Sequence, residues 1–356
     1  MGPKKAWLVC KDPGGTAGIL PVARCLRAMG VSVLVVATGK AKDLVTDEDG
    51  PLVRCDSLVD GLLSQVDRLP DVIVTSMCSQ GGLGRDLTLQ YKGQIPIVAL
   101  QDFWGARLLT DWLVARPDII CVNDQVGVGL VRKAWPDFPS NGIRVTGFPA
   151  LDKYSSPALR NGLSDQAQQL REQVGVLDDQ PLVLVTGQLQ SVGELFEAVV
   201  DSLNATSVPT SLMASTHPRM VEEEAKRCRQ ALEGFRGQQV SLPPGTPFEV
   251  AIAAADLVVA MYSTTLVEAV CLGVPAISVL FPASGQRHLE DDTGGLLTEF
   301  PLTPLGLCPR ATSRLELNAL IHSVVTGQHH PPAVWAPSWL DGQNVKRVAQ
   351  VICSVF

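Results

Sequence analysis

Residues 254–279, AADLVVAMYSTTLVEAVCLGVPAISV, decide the fold predicted for this chain. The apolar run that ends near Met261 has the length of a buried strand, and residues 263–265 (STT) then open a stretch of helical period. Gly273 and Pro275 end that helix ahead of a second apolar run of strand length. A strand, a helix and a second strand in this order are typical of a parallel βαβ unit.

The same alternation of short apolar runs and helical stretches extends through most of the chain. It lapses between residues 148 and 164, where proline, serine and asparagine indicate a connector. We therefore predict an α/β protein of two tandem Rossmann-like domains, residues 1–155 and 156–340, that face each other across a cleft. Residues 341–356 are amphipathic, and we expect them to form a helix that returns to the first domain.

The composition favours a folded cytoplasmic protein and disfavours two classes of partner. The 356 residues carry a net charge of -7 and no run of lysine or arginine, so neither nucleic acid nor an anionic membrane surface is an expected partner. No apolar run approaches the roughly 20 residues of a membrane-spanning helix, and the N-terminal run is too short for a signal peptide. Nine cysteines without a CxxC pair are best explained as buried thiols in a reducing compartment.

The start of the helix after residue 263 is the strongest candidate for a binding site. A helix that follows a strand of a parallel sheet presents its first N–H groups and its positive dipole end at the sheet's carboxyl edge, where they can hold a diphosphate. Glu268 lies about one turn further on and can accept hydrogen bonds from ribose hydroxyls. The alternative is structural: the hydroxyl residues cap the helix, and Glu268 is a first-turn acid that suits the dipole.

This segment resembles the donor-nucleotide segment of GT-B glycosyltransferases and of the related UDP-N-acetylglucosamine 2-epimerases. The resemblance rests on the STT run, on Glu268, and on Gly273 with the Pro-Ala-Ile that follows shortly after it. It implies that Glu268 binds the ribose and that the diphosphate is bound by Ser263, Thr264 and Thr265. Members of the family often carry glycine at the positions of the two threonines. A threonine side chain hinders the close approach of the backbone to a phosphate that glycine allows, so this contact is the one that the substitution puts in doubt.

Two further segments of the second half match the same family. His217 and Arg219 follow a predicted strand, and both side chains can donate hydrogen bonds to an anion. The resemblance implies that this pair faces the phosphates from the opposite wall. It also implies that Gln286 and Arg287 lie in a loop that contacts the donor sugar. A solvated polar loop is the alternative for both segments.

The first half carries a glycine pair directly after its first predicted strand, in the run KDPGGT of residues 11–16. Gly14 and Gly15 allow a tight turn and close approach to a ligand before a helix begins near Ala17. The run is not GxGxxG and lacks a P-loop lysine, which disfavours a nicotinamide or Walker-type site. The resemblance implies that this loop, with Asp12, lies over the sugar and the acceptor. A plain turn is the alternative.

A general base is expected after a later strand of the first half. Asp102 follows a predicted strand and precedes Phe103 and Trp104. A carboxylate beside aromatic rings can have a raised pKa and take a proton from an acceptor hydroxyl. Asp102 is the first candidate for this role and Asp12 the second. The alternative, which these residues by themselves favour, is that Asp102 caps a helix.

These observations predict a metal-independent glycosyltransferase that moves a sugar from a nucleoside-diphosphate sugar, with a UDP-sugar as first choice. The acceptor is expected to be a small molecule, a glycan or a lipid-linked group, and no cofactor or metal ion is expected because no DxD motif follows a strand. A homodimer is one option for assembly. Two other functions stay open: epimerisation or hydrolysis of a nucleotide sugar, and a catalytically silent protein that binds a sugar nucleotide or serves as a partner subunit.

Overall fold

The computed structural model describes residues 2–56, 59–77, 81–187, 192–216, 220–281, 283–328 and 337–356. The chain divides into two units, each built around one parallel sheet. The first unit contains residues 1–155, 292–296 and 336–356, and the second contains residues 156–291 and 297–335. Among the described residues, every helix is too short or too polar to cross a lipid bilayer.

The first unit has a seven-stranded sheet in the order β3-β2-β1-β4-β5-β6-β7. Its strands are β1 (Lys5–Cys10), β2 (Ser32–Ala37), β3 (Leu52–Arg54), β4 (Val72–Ser76), β5 (Ile97–Leu100), β6 (Ile119–Val122) and β7 (Ile143–Val145). Its first six helices are α1 (Pro13–Ala28), α2 (Ala41–Leu44), α3 (Val59–Leu63), α4 (Leu83–Tyr91), α5 (Asp111–Val114) and α6 (Gln125–Ala134). The central strands are buried on both faces, which explains their nearly continuous apolar runs.

The second unit has a six-stranded sheet in the order β10-β9-β8-β11-β12-β13. Its strands are β8 (Leu182–Thr186), β9 (Ser211–Ser215), β10 (Gln238–Val240), β11 (Leu257–Ala260), β12 (Ala276–Val279) and β13 (Arg310–Ala311). Its helices are α7 (Pro157–Gln173), α8 (Val192–Asn204), α9 (Glu222–Glu233), α10 (Phe248–Ala254), α11 (Thr264–Leu272), α12 (Ala283–Thr293) and α13 (Arg314–Val325). Helices α8 and α13 bury their apolar faces against this sheet.

The last helix, α14 (Asn344–Cys353), packs against α1 in the first unit. The carboxylate of Asp152 accepts hydrogen bonds from the backbone N–H groups of Asn344, at 2.9 Å, and Val345, at 2.8 Å. The Asn344 amide is fully buried and donates to the carbonyl oxygens of Phe148, at 3.1 Å, and Trp339, at 2.7 Å. The two bonds to Asp152 satisfy N–H groups that a helix start leaves unpaired. Together with the bonds of the Asn344 side chain, they hold the end of the chain on the first unit.

Two predicted loops are helical. Helix α1 begins at Pro13, so Gly14 and Gly15 lie in its first turn and not in a loop ahead of it. The prediction missed that Asp12 is an N-cap and that proline suits the first helical position. Gln286 and Arg287 lie within α12 and not in a loop. The sequence of α12 is mostly polar, so it shows little of the apolar spacing that predicts a helix. One turn of this helix is supported by a hydrogen bond from the side chain of Gln286 to that of Glu290, at 3.0 Å.

Candidate functional site

Each sheet reverses its strand order beside the first strand of its unit, between β1 and β4 in the first and between β8 and β11 in the second. In parallel α/β sheets, ligands bind outside the carboxyl ends of the strands at such a reversal. Helix α1 begins directly after β1, and α11 begins directly after β11. Both predicted binding segments therefore lie where the topology favours a ligand.

In the second unit, Ser263 is the N-cap of α11. Its Oγ accepts a hydrogen bond from the backbone N–H of Thr265, at 3.2 Å, and lies 3.1 Å from the Thr265 hydroxyl. Thr265 is buried, whereas Thr264 is exposed and stands at the first helical position. Capping is thus one role of this serine, and the exposed Thr264 leaves the helix end accessible to an anion.

Glu268 is the fifth residue of α11 and is half-buried. The structural alternative, in which it is a first-turn acid, is wrong because the first turn of α11 contains no acidic residue. The attraction between a carboxylate and the helix dipole weakens beyond that turn. The dipole therefore gives little reason for a carboxylate at this position, and a role in binding ribose stays a prediction.

Four further residues of the second unit were predicted to contact the ligand. His217 and Arg219 lie outside the described residues. Gln286 and Arg287 are both exposed on α12. Their contact with a donor sugar stays a prediction.

In the first unit, Asp12 and Asp102 converge at the carboxyl edge of the sheet. Asp12 caps α1 by accepting a hydrogen bond from the backbone N–H of Gly15, at 3.0 Å. A methyl group placed on Gly14 would lie 3.1 Å from Asp102 Oδ2 and 3.8 Å from Asp12 Oδ1. Both carboxylates therefore face the same glycine, and a side chain at this position would crowd the Asp102 carboxylate.

Asp102 has the electrostatic property expected of a general base. Burial, and to a smaller extent the nearby charge of Asp12, raise the pKa of its carboxyl to about 7, against hydrogen bonds from the backbone of Phe103 and of Asp102 itself that lower it. Residues 102–110 form bends and turns, so Asp102 does not cap a helix, and the next helix is α5. The capping alternative for Asp102 is therefore wrong.

Two buried amides at the same edge were missed by the sequence prediction. Gln101 follows β5 and is 1% exposed, and Asn123 follows the neighbouring β6 and is 2% exposed. Over the described chain, neither the nitrogen nor the oxygen of either amide has a hydrogen-bond partner. The signal that could have found them is a polar residue directly after a buried strand, since that position ends at the binding edge of a parallel sheet.

The described residues contain no group of three or more His, Cys, Asp or Glu side chains placed to hold a metal ion.

Comparison of the chain with known proteins identifies its fold. No family model matches the sequence, and no curated protein matches it. The UDP-GlcNAc 2-epimerase of Methanocaldococcus jannaschii shares 13% identity, covering 98% of this chain and 99% of its own, with a TM-score of 0.67. The UDP-GlcNAc 2-epimerase of Neisseria meningitidis, whose structure was solved with UDP-GlcNAc bound, shares 13% identity with a TM-score of 0.69. The match covers 98% of this chain and 100% of the epimerase. MurG of Acinetobacter baumannii shares 17% sequence identity with a TM-score of 0.57, and the match covers 99% of this chain and 100% of MurG.

The chain has the GT-B fold. The predicted fold class, two tandem Rossmann-like α/β domains, is confirmed by these neighbours and by the two parallel sheets. The resemblance inferred from the sequence to GT-B transferases and to the epimerases is also confirmed. At these identities the likeness establishes the GT-B fold alone, and the reaction must be argued from the residues.

Proposed function

We propose that this protein is a metal-independent glycosyltransferase. It moves a sugar from a nucleoside-diphosphate sugar to an acceptor hydroxyl, and the preferred donor in this proposal is a UDP-sugar. The observation that carries the proposal is the placement of Asp102, with its pKa raised to about 7, beside Asp12 at the carboxyl edge of the first sheet. A carboxyl with a pKa near the working pH is suited to remove a proton from a hydroxyl group. The free cysteines of the described chain are consistent with a cytoplasmic location.

The proposed reaction needs a base for the acceptor hydroxyl and a group that stabilises the leaving diphosphate. The acceptor hydroxyl loses its proton to the Asp102 carboxylate while its oxygen attacks the anomeric carbon of the donor sugar. The bond between that carbon and the diphosphate oxygen breaks, and the nucleoside diphosphate leaves with the electron pair. The start of α11, at Thr264, stabilises the charge that grows on the leaving diphosphate, which is the type of stabilisation that a metal ion provides in other transferases.

A second candidate is epimerisation of a UDP-sugar, favoured by the pairing of Asp12 with Asp102. Inversion at the carbon beside the anomeric position balances when one group removes the proton from that carbon, the electron pair forms a double bond to the anomeric carbon, and the nucleoside diphosphate leaves. The diphosphate then adds back to the anomeric carbon while a proton is returned to the opposite face of the neighbouring carbon, and two carboxyls can share the two proton transfers. The UDP-GlcNAc 2-epimerases have the same fold. This second reaction needs no acceptor, so the two candidates predict different substrate requirements.

Both candidates are tested by incubating the protein with a panel of UDP-, GDP- and dTDP-sugars. We expect release of the nucleoside diphosphate that depends on an added pool of small-molecule, glycan and lipid-linked acceptors. Isomerised nucleotide sugar formed without any acceptor would replace the transferase proposal by the epimerase. Binding of UDP without turnover in any combination would support the catalytically silent alternative.

Replacing Glu268 by alanine is expected to weaken UDP binding by about tenfold, because a carboxylate that bonds to ribose hydroxyls contributes about 1.5 kcal/mol. The unfolding temperature should change little, since Glu268 is not a first-turn acid of α11. Isothermal titration with UDP and a thermal scan of the same preparations measure both effects. A large loss of stability with intact UDP binding would make Glu268 a structural residue.

Replacing Gly14 by alanine is expected to lower turnover at neutral pH with little loss of stability. The added methyl group would lie 3.1 Å from Asp102 Oδ2, and an apolar group so close to a carboxylate disfavours its charged form, which raises the pKa of that carboxyl further. The rate against pH should therefore rise at a higher pH than in the original protein. Gly129→Ala is the matched control, because it adds the same group to α6 with open space around it. An unchanged pH profile in Gly14→Ala would contradict the prediction.

A further inference from the structure

A short segment after α12 belongs to the first unit, although the chain on both sides of it belongs to the second. This segment is residues 292–296. Gly294 and Gly295 both have left-handed backbone, with φ of 63° and 77°. Buried side chains flank them, since Thr293 is 1% exposed and Leu296 is 6% exposed. The contacts of these residues in the first unit therefore indicate what the segment does there.

Two of these contacts are with the loop that carries the proposed base, residues 102–110, which we call the base loop. A methyl group placed on Gly105 would lie 3.7 Å from Leu296 Cβ, which is ordinary van der Waals contact. A methyl group placed on Gly294 would lie 2.9 Å from Leu109 Cβ, which is too close for two such carbons. The segment thus packs against the base loop at two places, and at Gly294 the fit leaves no room for a side chain.

The base loop holds its own shape only weakly. Three backbone hydrogen bonds lie within it, at 3.3, 3.4 and 3.3 Å, and all are longer than the about 2.7–3.2 Å of ordinary N–H···O bonds. Arg107 has a φ of 62°, a left-handed conformation that a residue with a side chain keeps only where its surroundings impose it. The shape of the loop must therefore be set by what packs against it.

Two tryptophans hold the base loop at α6. Trp104 of the loop is 1% exposed, and its Nε1 donates to Asp124 Oδ1, at 2.9 Å, at the start of α6. Trp135 follows the last residue of α6 and donates from Nε1 to the Leu108 carbonyl, at 2.9 Å. The segment after α12 contacts the next position in each case, 105 and 109. The loop is thus held from outside at two pairs of neighbouring positions.

The shape of the base loop determines the surroundings of Asp102. The Asp102 carboxyl lies near Asp12 and accepts hydrogen bonds from the backbone of Phe103 and of Asp102 itself. Burial is the largest cause of its raised pKa. A displaced loop would change all of these surroundings, and a misplacement of about 1 Å at a reacting group can lower turnover by about 10²-fold.

We infer that Gly294 and Leu296 are positioning residues, which hold the base loop in the shape that places Asp102 to take a proton from the acceptor hydroxyl. Gly294 acts by having no side chain, and Leu296 acts by packing on Gly105. Both act through Asp102 and not on the substrate. The inference deepens the proposed function and rests on it, because it is in that reaction that Asp102 serves as the base.

The test compares Gly294→Ala with Gly295→Ala in the complete protein. Both substitutions place a side chain on left-handed backbone, so both carry the same kind of backbone strain. At Gly294 the added methyl group meets Leu109, whose Cβ is fixed to the backbone and cannot rotate away. At Gly295 the added group has open space around it. A difference between the two variants therefore reports the contact with the base loop.

The position of the base loop is measured from the titration of Asp102, by NMR of isotope-labelled aspartate carboxyl carbons, with Asp102→Asn to assign the signal. We expect a midpoint near pH 7 in the original protein and in Gly295→Ala. The midpoint should be lower in Gly294→Ala, because a displaced loop lets water reach the carboxylate. Turnover in Gly294→Ala should fall by about 10- to 100-fold, with an unchanged KM for the UDP-sugar and a pH profile shifted to lower pH.

Leu296→Ala gives a second variant in case Gly294→Ala does not fold. It removes the side chain that packs on Gly105. Leu297→Ala is its control, because Leu297 has the same size and nearly the same exposure, 7% against 6%, and belongs to the second unit. Both should lower the unfolding temperature, and Leu296→Ala alone should lower the midpoint of Asp102.

Two results would overturn the inference. One is an Asp102 midpoint that Gly294→Ala and Leu296→Ala leave at its original value. The other is an equal shift in Gly294→Ala and Gly295→Ala, since backbone strain would then explain it. The NMR titration needs no turnover, so an original protein without activity whose Asp102 midpoint still responds to Gly294→Ala and not to Gly295→Ala would count against the proposed function and support the positioning of Asp102.

Discussion

Replacing Asp102 by asparagine is expected to lower turnover by about 10²- to 10⁴-fold, the usual contribution of a general base. Asparagine keeps the shape of the side chain and cannot take a proton. In the original protein the rate should rise with pH through about 7, where Asp102 loses its proton, and this rise should be absent from the substituted protein. Released nucleoside diphosphate, measured from pH 5 to pH 9, tests both statements.

The same substitution is expected to raise the stability of the protein at alkaline pH. The pKa of the Asp102 carboxyl is about 7 when folded, above its value near 3.9 when unfolded, so the folded state binds the extra proton between these values. Stability therefore falls as the pH rises from about 4 to about 7, by as much as about 4 kcal/mol at 1.36 kcal/mol per pKa unit. Urea unfolding at pH 5 and pH 8 measures the difference, which asparagine should remove.

Asp12→Asn is the matched control for Asp102→Asn. Asparagine retains the N-cap of α1, so the stability of that helix should be nearly unchanged. It also removes the negative charge that raises the pKa of Asp102, so the rate should begin to rise at a lower pH than in the original protein. Full activity with an unchanged pH profile in Asp102→Asn would remove this residue from the mechanism.

Replacing Asn344 by alanine is expected to lower the free energy of unfolding by on the order of 3 kcal/mol, because it removes two buried hydrogen bonds and takes from the Trp339 carbonyl the donor that Asn344 supplies. The Asn344 amide donates to Phe148, at 3.1 Å, and to Trp339, at 2.7 Å, and it is fully buried. The last helix, α14, should then detach more readily from α1. Urea unfolding measures the loss, and hydrogen exchange of the α14 amides locates it.

Gln343→Ala is the matched control, because Gln343 precedes Asn344, is exposed, and makes no capping bond with its side chain. Its effect should lie within about 0.5 kcal/mol. Equal stability of Asn344→Ala and Gln343→Ala would show that the buried amide does not hold α14 in place.

The sequence was most informative where one strand leads into one helix. The start of α11 at Thr264 and its end before Gly273 follow from a hydroxyl-rich cap and a glycine, which are local signals. The start of α1 was predicted too late because the Asp12-Pro13 pair was interpreted as a loop. Helix α12 was missed because its surface is polar and little of its sequence shows apolar spacing.

The sequence by itself determined that this chain alternates strands and helices, and that Asp12, Asp102 and Ser263 each follow a buried strand. Those features are local, since apolar spacing and capping residues act over a few positions. Only the tertiary structure decided that Asp12 and Asp102 meet across Gly14, and that Gln101 and Asn123 lie buried without partners among the described residues. Burial and pairing depend on which strands become neighbours, and the order of strands in a sheet is set by packing between distant parts of the chain.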